Sequence, residues 1–216
     1  MKIFLAGGGS EKDSLGIDKA FSDSIGSKKK VMYVPIAMET DDYSDCLKWI
    51  KSTFSVFRIS DIEMVTNLSL VRNVDNAVYI GGGNTFKLLK EIRKTGFDKK
   101  LTEHAKNNGV IYGGSAGAII MGQSILTSPD KNDVDLTRFG GLNIIKGFSV
   151  WCHYENKHRK RVLDFVMKNR APVIALTEKS GVMFDGKSIT SLGSIPASVF
   201  RDDKEIIIKN GPLLIK

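Results

Sequence analysis

The chain has 216 residues, 42% of them hydrophobic, and its 32 lysines and arginines outnumber 24 aspartates and glutamates for a formal charge of +8. That length suits a single α/β domain over 1–216, and the hydrophobic fraction excludes a disordered chain. The basic residues are scattered, densest at Lys28-Lys29-Lys30 and at 157–161, without the interleaved aromatics of a nucleic-acid platform, so no nucleic-acid partner is expected.

Strand and helix signals alternate from the start. Residues 2–6 read as a strand ended by Gly7-Gly8-Gly9; the apolar run is too short for a signal peptide, and no later stretch approaches a membrane span. A helix is expected over 13–25, a strand over 31–36, a helix over 41–54 and a short strand over 56–59. Next come a strand over 76–80 ending in Gly81-Gly82-Gly83, helices over 85–94 and 98–107, and a strand over 109–112. Apolar runs without alternation, separated by helical patterns, indicate parallel strands covered on both faces. The expected fold class is a doubly wound, mostly parallel α/β sandwich.

At 113–118 the sequence reads Gly-Gly-Ser-Ala-Gly-Ala. Gly113 and Gly117 flank Ser115 as in a Gly-x-Ser-x-Gly elbow, where a serine sits on a sharp turn between strand and helix with its oxygen exposed. A packing turn of small residues would read the same way. A helix is expected over 116–123, its N–H groups facing any developing negative charge. Strands follow at 124–127 and 144–152, then a helix over 157–168. Further strands are expected at 173–176, 181–184, 188–192, 198–200 and 205–208, with Asp185-Gly186 as a hairpin turn. These last strands should be mixed or antiparallel.

Ligands of open α/β sheets bind beyond the carboxyl ends of the strands. The residues just past those ends are Gly81-Gly82-Gly83-Asn84, Ser115, Asp130, His153 and Glu178. A serine needs a neighbouring base, which His153 can supply; a carboxylate on the other ring nitrogen, from Glu178 or Asp130, would fix the tautomer. Two N–H donors for an oxyanion are available at Ala116 and in the 81–83 loop. His104 is expected on a solvated helix face and His158 exposed. Gly7-Gly8-Gly9 lacks the third glycine of a dinucleotide fingerprint, because Lys12 stands there. Cys46 and Cys152 lie far apart and suggest neither a disulfide framework nor a zinc site, and so reduced thiols in the cytoplasm.

Two segments carry a specific resemblance: Ile80-Gly-Gly-Gly-Asn-Thr-Phe-Lys-Leu-Leu89 and Gly113-Gly-Ser-Ala-Gly-Ala118, followed by His153. Together they resemble the aspartyl dipeptidase (dipeptidase E) family of serine peptidases over most of the chain. The resemblance implies a class I glutamine amidotransferase-like fold, no metal or cofactor, and hydrolysis of short peptides through an acyl-enzyme. It makes Ser115 the nucleophile, His153 the base and Glu178 the acid, with Asp130 the second choice. It assigns Gly83 and Ala116 to the oxyanion hole and Asn84 to substrate binding. It also implies that Arg159 selects an N-terminal acidic residue. The expected partner is a small peptide, with no membrane association, and the chain acts as a monomer or homodimer. The alternatives are an amidotransferase-like or esterase activity on a non-peptide amide or ester, and a binding protein with a degenerate site.

Overall fold

The computed structural model describes residues 1–26, 30–209 and 211–215. Lys28 and Lys29 of the first basic cluster lie outside the described residues. In chain order the elements are β1 (Lys2–Ala6), α1 (Glu11–Ser24), β2 (Lys30–Val34), α2 (Ser44–Ser55), β3 (Asp61–Met64), β4 (Ala77–Ile80), α3 (Thr85–Lys94), α4 (Phe97–Lys106), β5 (Val110–Gly114) and α5 (Ala116–Ile120). They continue with β6 (Ser149–Trp151), α6 (Arg159–Asn169), β7 (Val173–Ala175), β8 (Ser180–Phe184), β9 (Ser188–Gly193), β10 (Ser198–Arg201), β11 (Lys204–Ile207) and β12 (Leu213–Leu214).

The main sheet has the order β12-β9-β8-β1-β5-β4-β2-β3. Its five strands from β1 to β3 run parallel, whereas β8, β9 and β12 extend it antiparallel. Alternating side chains of β1 serve two cores: Ile3 and Leu5 on one face, Phe4 and Ala6 on the other. Both faces are covered, which is why the strands read as unbroken apolar runs. Helices α1 and α2 bring Ile17, Phe21, Ile50 and Phe54 to one face, and α3 and α4 bring Phe86, Leu89, Phe97 and Leu101 to the other. This is the class I glutamine amidotransferase-like α/β architecture expected from the sequence.

A second sheet has the order β11-β10-β7-β6, with only β6 and β7 parallel. Val150, Ile174 and Val199 join the main core, while Trp151, Val173 and Phe200 pack under Val162 and Val166 of α6. Residues 149–175 thus form part of a separate ladder rather than more of the first sheet.

Several expected elements differ. Residues 56–58 are not a strand: they form a turn directly after α2, with Arg58 at φ 59° and Ile59 N–H donating to the Phe54 carbonyl. The partner of β2 is instead β3, further on. Residues 124–127 are turns, Ser124 alone bridging to Gly140. The expected strand over 144–152 is confined to β6, because Lys146 and Gly147 take positive φ and turn the chain before it. Helix α5 stops at Ile120 rather than 123, because the 139–148 loop takes over the exposed carbonyls: Leu142 N–H donates to Ile120 and Ile144 N–H to Met121.

Beneath the main sheet lies one buried polar chain. Tyr112 donates to Asp18 Oδ1 at 2.7 Å and Ser14 to Asp18 Oδ2 at 2.7 Å. Burial pushes the Asp18 carboxyl up to about 6, against those two hydrogen bonds. The network ties α1 to the strand that leads into Ser115.

Candidate active site

The site begins at the turn between β5 and α5. Gly113 and Gly117 approach so closely that a Cβ on Gly113 would stand 2.5 Å from the Gly117 carbonyl carbon. That closeness makes the turn sharp and forces Ser115 to φ 48°, ψ −108°. A non-glycine residue in such a conformation costs about 1–3 kcal/mol and persists only where its surroundings hold it. Here Ser115 N–H donates to the Ala6 carbonyl, and the Ser115 carbonyl accepts from Ala118 and Ile119. The buried Cys152 thiol lies 3.6 Å from the same carbonyl, and burial pushes that thiol well above its usual range.

His153 follows β6 in a left-handed conformation, φ 50°. Its N–H donates to the Gly7 carbonyl at 3.1 Å, and the next residue, Tyr154, donates to Leu176. These bonds swing the ring over the elbow. His153 Nε2 lies 2.9 Å from Ser115 Oγ, and Nδ1 lies 3.2 Å from Glu178 Oε1. The ring therefore bridges a hydroxyl and a carboxylate, with side chains 40% and 62% exposed for His153 and Glu178. An exposed pair contributes little to stability, so its value would lie in orienting the ring.

Asp130 occupies a different position. Its Oδ2 accepts from Thr85 N–H at 2.8 Å, Thr85 Oγ1 at 2.7 Å and Ser128 Oγ at 2.8 Å. It fastens the start of α3 to the 128–131 loop and makes no hydrogen bond to His153 among the described residues. Asn84 caps α3 through Phe86 and Lys87 N–H, while its amide donates to Glu39 Oε1 and the Lys131 carbonyl. Gly83 and Ala116 present backbone N–H groups with no partner among the described residues.

Ser115, His153, Gly83, Asn84 and Asp130 line one cavity of about 600 Å³. Arg159 does not line it: its Nε donates to Glu205 Oε2 at 3.0 Å, beside the second sheet. No group of three or more metal-ligating side chains occurs among the described residues. No helix there is long and apolar enough to cross a membrane.

The Gly7-Gly8-Gly9 loop reads in the sequence as no more than an incomplete nucleotide motif. The structure packs it against the site. Gly8 has φ +100°, and a Cβ there would stand 2.6 Å from His153 Nε2 and 3.1 Å from Ser115 Cβ. Three glycines directly after the first strand were the available signal. Two other histidines also depart from expectation. His104 is not on a solvated face: its ring packs on Gly109 with Nε2 buried and without a partner among the described residues, and burial lowers its pKa. His158 is half-buried beside Trp151, ring centroids 6.0 Å apart, and its Nδ1 accepts from Glu155 N–H at 3.2 Å.

An open α/β sheet with a strained serine, a bridging histidine and a carboxylate at the strand ends is the arrangement of a hydrolytic enzyme rather than of a simple binding fold. The chain belongs to peptidase family S51, whose sequence profile matches residues 3–192. It is 28% identical over 191 residues to a peptidase E of Shewanella sp. (strain ANA-3), which spans 83% of this chain and 80% of that relative. A peptidase E from Nostoc sp. is 29% identical over 196 residues, spanning 83% and 78%. The crystal structure of a peptidase from an acI-B1 Actinobacterium superposes with a TM-score of 0.75 at 16% identity, covering 99% of this chain and 96% of that one, a likeness of fold.

Proposed function

We propose that this peptidase is a serine-type exopeptidase hydrolysing short peptides, dipeptides in particular, through an acyl-enzyme on Ser115. One observation carries the reading: Ser115 Oγ lies 2.9 Å from His153 Nε2. In this reading His153 takes the hydroxyl proton as Ser115 attacks the peptide carbonyl. The oxyanion is held by the N–H groups of Gly83 and Ala116. The imidazolium, steadied by Glu178, gives its proton to the departing amine. Water then attacks the ester, losing a proton to His153, and serine leaves with that proton as the acid is released. A cavity of about 600 Å³ supports a small substrate. Free thiols at Cys46 and Cys152 support a cytoplasmic setting. Selection of an acidic first residue by Arg159 would require its pair with Glu205 to open.

The test is Ser115→Ala, assayed on a dipeptide panel beside glutamine and simple esters. Hydrolysis should fall by about a thousandfold or more, fluorophosphonate labelling should vanish, and the melting temperature should hold. Undiminished peptide cleavage by the variant overturns the reading. Hydrolysis of glutamine or esters alone shifts it to a non-peptide substrate.

A further inference from the structure

The cavity beside Ser115 carries an electrostatic sign opposite to that of the whole chain. Three carboxylates, Glu39, Asp130 and Asp133, line it against one ammonium, Lys131, on a chain whose formal charge is +8. Asp130 Oδ2 is saturated by Thr85 and Ser128 and serves the wall. The other two are placed differently. Glu39 is exposed and held by a single hydrogen bond, 3.2 Å from Asn84 Nδ2 to its Oε1. Asp133 is exposed and has no hydrogen-bond or ion-pair partner among the described residues. The Asn84 amide also grips the Lys131 carbonyl at 3.0 Å, so one side chain joins the two loops that bear Glu39 and Asp133. Meanwhile Arg159 is engaged by Glu205 outside this cavity.

Resting on the peptidase reading of the same site, we propose that Glu39 and Asp133 determine its specificity: they receive the free α-ammonium group of a short peptide and favour a neutral or basic first residue over an acidic one. A peptide bond cleaved one residue from the amino terminus necessarily brings that ammonium close to Ser115. A cavity with surplus carboxylate attracts it and repels a second carboxylate on the same residue. Acetylation of the amino terminus removes the attraction and leaves the carboxylates without a counter-ion. Lys131 is the only opposing cation on the wall among the described residues, and it faces two carboxylates free to act.

The experiment compares kcat/KM for lysyl-leucine, alanyl-leucine, aspartyl-leucine and N-acetyl-lysyl-leucine, at low and high ionic strength. It uses the full chain and the Glu39→Gln/Asp133→Asn double variant, with melting temperatures to show that the variant is folded. Lysyl-leucine should exceed aspartyl-leucine by about tenfold at low salt, and the ratio should shrink at high salt as screening grows. The double variant should bring the ratio close to one, and acetylation should cost the wild type about tenfold or more. Aspartyl-leucine cleaved as fast as lysyl-leucine by the wild type overturns the proposal. So does a ratio indifferent to the double substitution, or a selective loss of aspartyl-leucine cleavage in Lys131→Met, which would give the recognition to the cation. Those results leave peptide hydrolysis at Ser115 standing. A wild type that cleaves none of the panel and resists fluorophosphonate ends the peptidase reading of this site, and the specificity reading with it.

Discussion

At the carboxyl ends of β4 and β5 a cavity of about 600 Å³ holds His153; at their amino ends another, of about 490 Å³, holds His104. The two histidines share a residue type and a half-buried setting, and little else. His153 has a hydroxyl on one nitrogen and a carboxylate on the other. His104 has its Nε2 sealed against Gly109, and no serine, threonine or cysteine among the described residues lines its cavity. Backbone strain divides the same way. At the carboxyl end a positive φ falls on Ser115, a residue that seldom adopts one, and on His153. At the amino end the position falls on Asn108, a residue that adopts it readily. A positive φ at Ser115, held by the hydrogen bonds around it, is consistent with a site positioned by the fold.

His153→Asn attacks that comparison at its strongest point. Asparagine tolerates the φ of 50° and removes the base. Peptide hydrolysis should fall by about a thousandfold, with the melting temperature little changed. A loss below tenfold would make His153 as dispensable as His104. Gly8→Ala comes next. Its Cβ would meet the ring at 2.6 Å from Nε2 at a φ of +100°, so either the ring or the loop must move. A displacement of about 1 Å costs on the order of a hundredfold, and the loss should appear in kcat more than in KM. Unchanged kinetics would show that the loop does not constrain His153.

Glu178→Gln should cost less, about tenfold in kcat, because a half-exposed orienting partner is partly replaced by water. Asp130→Asn separates the two acids. It leaves three donors facing a weaker acceptor and should destabilise the protein by about 1–2 kcal/mol, seen in the melting temperature. If instead Asp130→Asn lowers kcat more than Glu178→Gln does, the acid of the triad is Asp130.

That pair marks the boundary of what the sequence makes legible. The elbow is readable because Gly113 and Gly117 must be small for the turn to close, and the parallel sheet because two-sided burial erases alternation. His153 becomes readable once the strand before it is placed. The choice between Glu178 and Asp130 is not, since both follow runs that read as strands, and only the ring orientation fixed by Gly7 and Leu176 decides which carboxylate reaches Nδ1. Gly8 is equally hidden, because its contact joins loops remote in the chain. The apolar run at 144–148 mimics a strand because Ile144, Ile145 and Phe148 are all core residues, though they reach the core from a turn. Arg159 is implicated by the resemblance alone, and Glu205, its partner, lies 46 residues further on.

His104→Gln should have the smallest effect on catalysis and completes the contrast. Burial lowers the pKa of His104, while in the unfolded chain the group titrates at about 6.5. As pH falls below that value, the unfolded state takes a proton that the folded ring resists. The folded protein therefore loses stability on acidification, and the contribution is whole only above the unfolded value. Glutamine has no such proton. The variant's melting temperature should fall less steeply than the wild type's between about pH 6.5 and 5, with kcat/KM for dipeptides within about twofold at neutral pH. Parallel melting curves across that range would mean that the ring titrates alike in both states, so that its burial has no energetic consequence. A large loss of hydrolysis would be the more instructive failure, because it would couple the amino ends of β4 and β5 to a site at their other ends.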